Sequence, residues 1–446
     1  MGHVYIVHCI DTEGPLYEGL DANFKRLKNI YGIDLEPSEE TLKAIRNGEL
    51  DLGDVTEAVA NTFDVSRTVF NEDWAQIETM LNQITSEKFT RQLVDSEGDG
   101  WKYNWFCLDH VGFSGDNPRR RDAGDHKVFD FYQRYTCDDL SLGSIQWHYH
   151  PLPITGHFHN GGTTYLNSSN VSEILAKKII DREWFPSCYR PGFHTERPDS
   201  NWFLEQWIPF DYANQSITAG TIDQPDLAGG RYGNWEKATK SWIPYHPDYD
   251  DYQKIGNMRR WIARCLNMHA RLREISQEDV NDAFLEARTG NDVLLSFTNH
   301  DFRNMRPEIE KVMRYIRHAS ENFDDVSFSF EEAADGFRKC LGIERTTCGL
   351  SSDLVKIRDG KWRLDVRARG KLFGPQPFLA LKTVDGRYYW ENFDFTDASS
   401  WSFTFDEEHA PLEMIEKIGV ACNSSSGIPE VIVMGLDLDF LGPKST

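Results

Sequence analysis

His3-Val4-Tyr5-Ile6-Val7-His8-Cys9-Ile10-Asp11-Thr12-Glu13-Gly14-Pro15 stands almost at the start of the chain. Val4 to Ile10 is a near-continuous apolar run with β-branched residues at Val4, Ile6, Val7 and Ile10. Such a run fits a strand covered on both faces, as in a parallel sheet whose strands are joined by helices. It stops on two carboxylates, Asp11 and Glu13, before the Gly14-Pro15 breaker. Polar groups at the carboxyl ends of buried parallel strands are where α/β proteins assemble their sites.

Other segments end in the same way. Trp101–Leu108 runs into Asp109-His110, and Leu142–His150 carries His148-Tyr149-His150-Pro151. Ser187–Pro191 carries Arg190, and Val293–Phe297 runs into Thr298-Asn299-His300-Asp301. Phe210–Ala213 reads as a further short strand. Helical patterns lie between them at Asn23–Tyr31, Ser38–Asn47, Glu57–Phe63, Asn71–Ile84, Val171–Arg182, Tyr252–Arg273, Gln277–Thr289 and Pro307–Ser320. The first four form a helical insertion over about residues 16–95, longer than an ordinary connection between strands. Strands alternating with helices, with polar residues gathered at strand ends, predict a parallel (β/α) barrel with one shared mouth over residues 1–338. From 339 to 446 the chain changes to short alternating segments split by turns, which predicts a small antiparallel β-sandwich.

The chain has 446 residues and a formal charge of -23, from 48 basic and 71 acidic side chains. So negative a surface repels phosphate backbones, which argues against a nucleic-acid partner. No apolar run has spanning length, so neither a transmembrane segment nor a leader ahead of the first strand is expected. Eight scattered cysteines without a CxxC are expected as reduced thiols, and the protein as cytoplasmic.

The strand-end groups could share metal-assisted hydrolysis. A borderline divalent ion, zinc above all, takes imidazole nitrogen and carboxylate oxygen and keeps one position open. Asp11, Glu13, His148 and His150 are candidate ligands, the two histidines sharing one strand face at i, i+2. His157, in a second His-x-His with His159, is an alternative for the second histidine. Arg190 could keep a carboxylate base ionised and oriented, and a separate histidine could protonate the leaving amine. Arg119-Arg120-Arg121 form a candidate clamp for a substrate anion such as a uronate carboxylate or a phosphate.

In the order of these motifs the first 330 or so residues resemble the polysaccharide deacetylases with the NodB-homology domain, carbohydrate esterase family 4. Asp11-Thr12-Glu13-Gly14-Pro15 resembles the family's acidic motif, which supplies a base and a metal ligand. His148-Tyr149-His150-Pro151 resembles its histidine motif, and Tyr189-Arg190-Pro191-Gly192 its arginine motif, whose arginine tethers the base. Leu294 to His300 is similar to its last motif, whose histidine is the acid. The resemblance implies an irregular (β/α) barrel, a divalent metal, and a carbohydrate or sugar-nucleotide substrate that loses an N-acetyl group. Tyr189 and Asn299, inside the motifs, are candidates for substrate contact. Two departures leave roles open. The acids are split as Asp11-x-Glu13, so either could be base or ligand, and position 152, where the family's second histidine falls, is Leu152. A related amidase acting on a non-sugar amide, or a silent glycan-binding protein, would carry the same signals.

Overall fold

The computed structural model describes residues 2–137, 142–158, 160–217, 232–269, 274–358 and 360–436. His159 and residues 270–273 of the expected 252–273 helix lie outside them. Seven strands close a parallel barrel: β1 (His3–Thr12), β2 (Tyr103–Cys107), β3 (Ser144–Tyr149), β4 (Cys188–Pro191), β5 (Phe210–Asn214), β6 (Trp261–Asn267) and β7 (Val293–His300). An eighth strand, β8 (Ser327–Phe330), wedges into the ring. β1 is long enough to serve two neighbours on one edge. Its first half, His3–Ile6, pairs with β8, and its second half, His8–Thr12, pairs with β2. The opposite edge of β1 pairs with β7 from Val4 to Asp11. Among the described residues, no helix is long and apolar enough to cross a membrane.

Strand alternation divides the side chains of this ring. Val7 and Cys9 of β1, Phe106, Cys188, Tyr212, Ala263, Cys265 and Leu294 pack together as one buried cluster inside it. Ala333, Ala334 and Phe337, on the helix Ala333–Leu341, join the same cluster and plug the barrel at its lower end. The outward residues Val4, Ile6 and Ile10 pack with helices Gln277–Arg288 and Met305–Asn322 in a second, larger core. Between β1 and β2 lie six short helices, from Leu20–Tyr31 to Glu87–Thr90, the first three around their own small core of Phe24, Leu27, Leu42, Ile45, Val59 and Phe63.

Two expectations change. Trp261–Asn267 is a strand where the sequence pattern suggested part of a helix from Tyr252 to Arg273. Arg260 and Arg264, four apart, imitate the polar face of an amphipathic helix. Both are buried instead, Arg260 paired with Glu196 and Asp211, Arg264 with Asp279. β8 is the other addition: Ser327-Phe328-Ser329-Phe330 is too short a stretch to stand out between two helices.

Beyond the barrel come two four-stranded antiparallel sheets. One contains β9 (Leu350–Arg358), β10 (Lys361–Ala368), β13 (Asp394–Asp397) and β14 (Ser400–Phe405). The other contains β11 (Phe378–Thr383), β12 (Tyr388–Glu391), β15 (Ile415–Asn423) and β16 (Pro429–Gly435). Their facing sides bury Leu364, Val366, Leu379, Leu381, Phe403, Ile418 and Val420 between them. The second sheet lies against the barrel through the helix Ser169–Arg182, whose Leu175, Ile179 and Ile180 share a core with Phe378, Ala380 and Ala421. Gly419 permits this approach, because a Cβ there would lie 2.5 Å from Ile179 Cγ2. Asn423 completes the join by donating to the Pro186 and Trp207 carbonyls at 2.8 and 2.9 Å.

One outward residue of β1 carries a pH signature. The Trp101 indole N–H, a pure donor, gives its proton to His8 Nδ1 at 3.0 Å. His8 must therefore carry its own proton on Nε2, and it donates that to Asn299 Oδ1 at 2.9 Å. Burial lowers this imidazole to about 4, against a small raising effect of Asn299. An unfolded histidine titrates near 6.5, so between those values the unfolded chain holds a proton that the native chain does not. Stability contributed by neutral His8 is present above about pH 6.5 and is lost as pH falls toward 4, by on the order of 3 kcal/mol. Thermal unfolding between pH 7 and 4.5 should therefore show a shallower acid slope for His8→Leu than for the native chain, though the variant starts from a lower melting temperature. Equal slopes would show that His8 does not titrate in this way.

Candidate metal centre

The carboxyl ends of β1, β3, β4 and β7 bring Asp11, Glu13, His148, His150, Arg190 and His300 to one mouth. Their separation of roles begins with Arg190, which is fully buried inside the barrel. Its guanidinium forks onto Asp11, Nε to Oδ1 at 2.6 Å and Nη2 to Oδ2 at 3.0 Å. Nη1 is occupied by the Tyr212 carbonyl at 2.5 Å and Cys265 Sγ at 3.1 Å. Burial alone would raise the Asp11 carboxyl, but the charge of Arg190 beside it holds it well below its ordinary value.

Glu13 is held differently. Its main-chain N–H and that of Gly14 donate to the two oxygens of Asp301, each at 3.0 Å, and Tyr132 OH donates to the same carboxylate. This fixes the turn after β1. Oε2 of Glu13 faces Arg121 Nη2 at 2.7 Å, and Oε1 faces His148 Nε2 at 3.7 Å and both His150 Nε2 and His300 Nε2 at 3.6 Å. Burial opposes ionisation here too, and Arg121 overrides it, so Glu13 stays ionised well below its ordinary range.

His148 donates Nδ1–H to the Arg190 carbonyl at 2.9 Å, since a carbonyl can only accept. In the neutral ring this leaves the Nε2 lone pair directed at Glu13 and at His150 Nε2, 2.9 Å away. An outer hydrogen bond of this kind is how metal-binding histidines are oriented. His150 Nδ1 is buried without a hydrogen-bond partner among the described residues, and burial lowers this ring well below its ordinary value. His148 is shifted the other way: burial lowers it, but Asp11 and Glu13 outweigh that, so the pocket favours a positive charge there. Glu13, His148 and His150 together form a buried group whose ligand atoms lie within 4.8 Å of one another, and this group could hold a metal ion. One carboxylate oxygen and two imidazole nitrogens with a position to spare is the donor set of a catalytic divalent site.

Gly192 is part of the same construction. A Cβ there would stand 2.2 Å from the His150 ring, so the residue after Arg190-Pro191 must be glycine for His150 to reach Glu13. Phe193 and His194 follow with φ of 53° and 51°, a left-handed kink that places His194 Nδ1 3.5 Å from Arg190 Nη2.

Other expected residues lie elsewhere. His157 stands apart from the cluster, half-buried with its ring over Gly115, so the second histidine of the group is His150. Tyr189 and Asn299 neighbour inward-facing Arg190 and His300, and in a strand that turns them outward. Tyr189 is in the core against Trp147, its hydroxyl on Tyr165, and Asn299 bridges His8 and Glu308. The arginine clamp is largely spoken for. Arg119 pairs with Glu18 at 3.2 Å, Arg120 lies over the Tyr17 ring, and of the three it is Arg121 that enters the mouth. The structure adds His110, His194 and Asp301. Asp301 directly follows β7, and His110 and His194 each lie three residues past a strand end, a signal the sequence carried.

Comparison with family models, with curated proteins and with solved structures yields no match. The chemistry of the centre itself sets what it should do. Purified chain should take up about one divalent ion, with zinc raising the melting temperature by linkage. Glu13→Gln, His148→Ala and His150→Ala should each abolish that rise. Arg121→Met, which frees Glu13 Oε2, should weaken uptake by about 10- to 100-fold. Retained uptake in His150→Ala together with loss in His157→Ala would reverse the ligand assignment.

Proposed function

We propose that this chain is a metal-dependent hydrolase that removes an N-acetyl or similar acyl group from an amino sugar or sugar-nucleotide precursor, with zinc as the expected ion. The observation that carries the reading is the division of labour between the two β1 acids. Asp11 is gripped by Arg190, while Glu13 turns one oxygen toward His148 and His150. That supports Asp11 as base and Glu13 as ligand. The motif order described above supports the substrate class.

Bound to Glu13, His148 and His150, a divalent ion would polarise the amide carbonyl and acidify a water molecule. Asp11 Oδ2 accepts that water's proton, but a carboxylate so far below its ordinary value keeps it only in passing. His300 Nε2 lies 3.9 Å from Asp11 Oδ2 and 3.6 Å from Glu13 Oε1. Burial lowers this imidazole to about 4, against the raising effects of Glu13 and Asp11, so it starts the cycle neutral. It can receive the proton from Asp11 and return it to the leaving amine, which balances the exchange. Arg190 keeps Asp11 aimed throughout and does not itself titrate.

Zinc-loaded protein offered N-acetylated sugars and sugar nucleotides should release acetate. Asp11→Asn and His300→Ala should lower the rate by about 100-fold or more, as loss of a general base or acid does, with zinc retained in both. Full activity in these variants would eliminate the mechanism. Hydrolysis of other amides with no acetate released from any sugar would replace the substrate class by that of a related amidase.

A further inference from the structure

The neck of the loop that carries the arginines holds polar atoms that the proposed reaction does not use. His110 closes this loop through a bridge to Gly124, whose N–H donates to the His110 carbonyl at 3.2 Å. His110 is 3% exposed, and among the described residues neither ring nitrogen has a hydrogen-bond partner. Phe113 and Phe158 wall the ring at 5.6 Å, and the ring of His150 lies edge-on to it with centroids 6.4 Å apart. Arg121, on the same neck, uses Nη2 on Glu13 and has a buried Nη1 that is likewise unpartnered. A buried polar group with no partner is costly and calls for an explanation, and here two residues carry that cost side by side with the metal-ligand group.

The charge at the mouth points the same way. Asp11 is matched by Arg190 and Glu13 by Arg121, so each carboxylate facing the centre already has its own guanidinium. The two charges of a divalent ion would then go largely uncompensated by protein. Of the other buried acids nearby, Asp109 pairs with Lys178 at 2.8 Å, and Asp301 turns both oxygens away to the N–H groups of Glu13 and Gly14. A loaded centre of this kind selects an anion. At longer range the net charge of -23 repels large polyanions, which leaves a small, singly substituted anion as the species admitted.

We propose that the substrate carries an oxyanion, a carboxylate or a phosphate, that docks between His110 and Arg121 Nη1 beside the scissile amide. Its role as a substrate subsite rests on the deacylase reading, whereas anion binding at these two residues stands independently of it. A neutral imidazole in an apolar box donates one N–H to the oxyanion, and the guanidinium adds a charge-assisted bond.

The test uses the full-length zinc-loaded protein in two arms. In the first, N-acetylglucosamine is compared with its 6-phosphate, its 1-phosphate, its uridine diphosphate derivative and N-acetylglucosaminuronate. At least one anionic member should exceed the neutral sugar in kcat/KM by about tenfold, and which one separates phosphate from carboxylate. In the second, calorimetry follows binding of inorganic phosphate and of glucuronate, neither of which can be deacylated. One of them should bind, and His110→Leu and Arg121→Gln should each weaken it by about tenfold or more. His110→Gln, which restores a donor, should recover part of the loss; binding is compared at saturating zinc, and circular dichroism identifies a variant that has not folded. Equal turnover of neutral and anionic sugars, or anion binding indifferent to both residues, overturns the proposal. Anion binding that depends on both residues in a protein that releases acetate from no sugar upholds the site and rejects the deacylase reading.

Discussion

The Arg190–Asp11 pair is the constraint on which the rest of the mouth depends. Both groups are removed from water, and a buried charge without its partner costs about 3–5 kcal/mol. Three conditions on this pair set the geometry around it. Asp11 must end β1 facing inward, Arg190 must do the same on β4, and the barrel between them must be narrow enough for a two-point fork. The Arg190 main chain then takes a second part, because its carbonyl fixes the tautomer of His148. One residue thereby orients a base through its side chain and a ligand through its backbone.

With Asp11 committed to arginine, Glu13 is left to face the histidines. Two residues further on, past the end of the strand, it depends on other supports, namely Asp301 under its main chain and Arg121 on its outer oxygen. The two acids of the motif thus differ in role because of their neighbours, although they share chemistry and almost share position. A glycine completes the arrangement: Gly192 concedes the volume of a side chain so that the His150 ring can close on Glu13.

Much of this was legible in the sequence, and the part that was not has a physical reason. The apolar run from Val4 to Ile10 and its acidic end are local properties, so β1, its burial and the strand-end layout could be read directly. The same holds for His148 and His150, whose i, i+2 spacing decides a shared face once the segment is a strand. Pairing partners are not local. Nothing in Asp11-Thr12-Glu13 says which acid meets Arg190, and nothing near Arg260 or Arg264 says that each is buried against an acid from another element. Those two arginines made a strand look like part of a helix. Strand parity, in contrast, was available: once Arg190 and His300 are placed inward, Tyr189 and Asn299 must turn outward.

The arginine triplet shows the same limit at a single loop. Three like charges in sequence suggest a common ligand, yet consecutive side chains in an irregular loop diverge. Arg119 goes to Glu18, Arg120 to the face of Tyr17, and Arg121 to Glu13. The backbone reinforces this, since Arg120 has φ of 50° and the Asn117 side chain clasps the Arg121 main chain through two 2.8 Å bonds. The first two arginines therefore fasten the loop to the segment that follows β1, where the Tyr17 N–H also donates to the Arg119 carbonyl at 2.9 Å. The third is delivered to the mouth by that fastening. A cluster that reads as one binding motif is, in the folded chain, two anchors and one functional group, and the anchors are what make the position of the third reproducible.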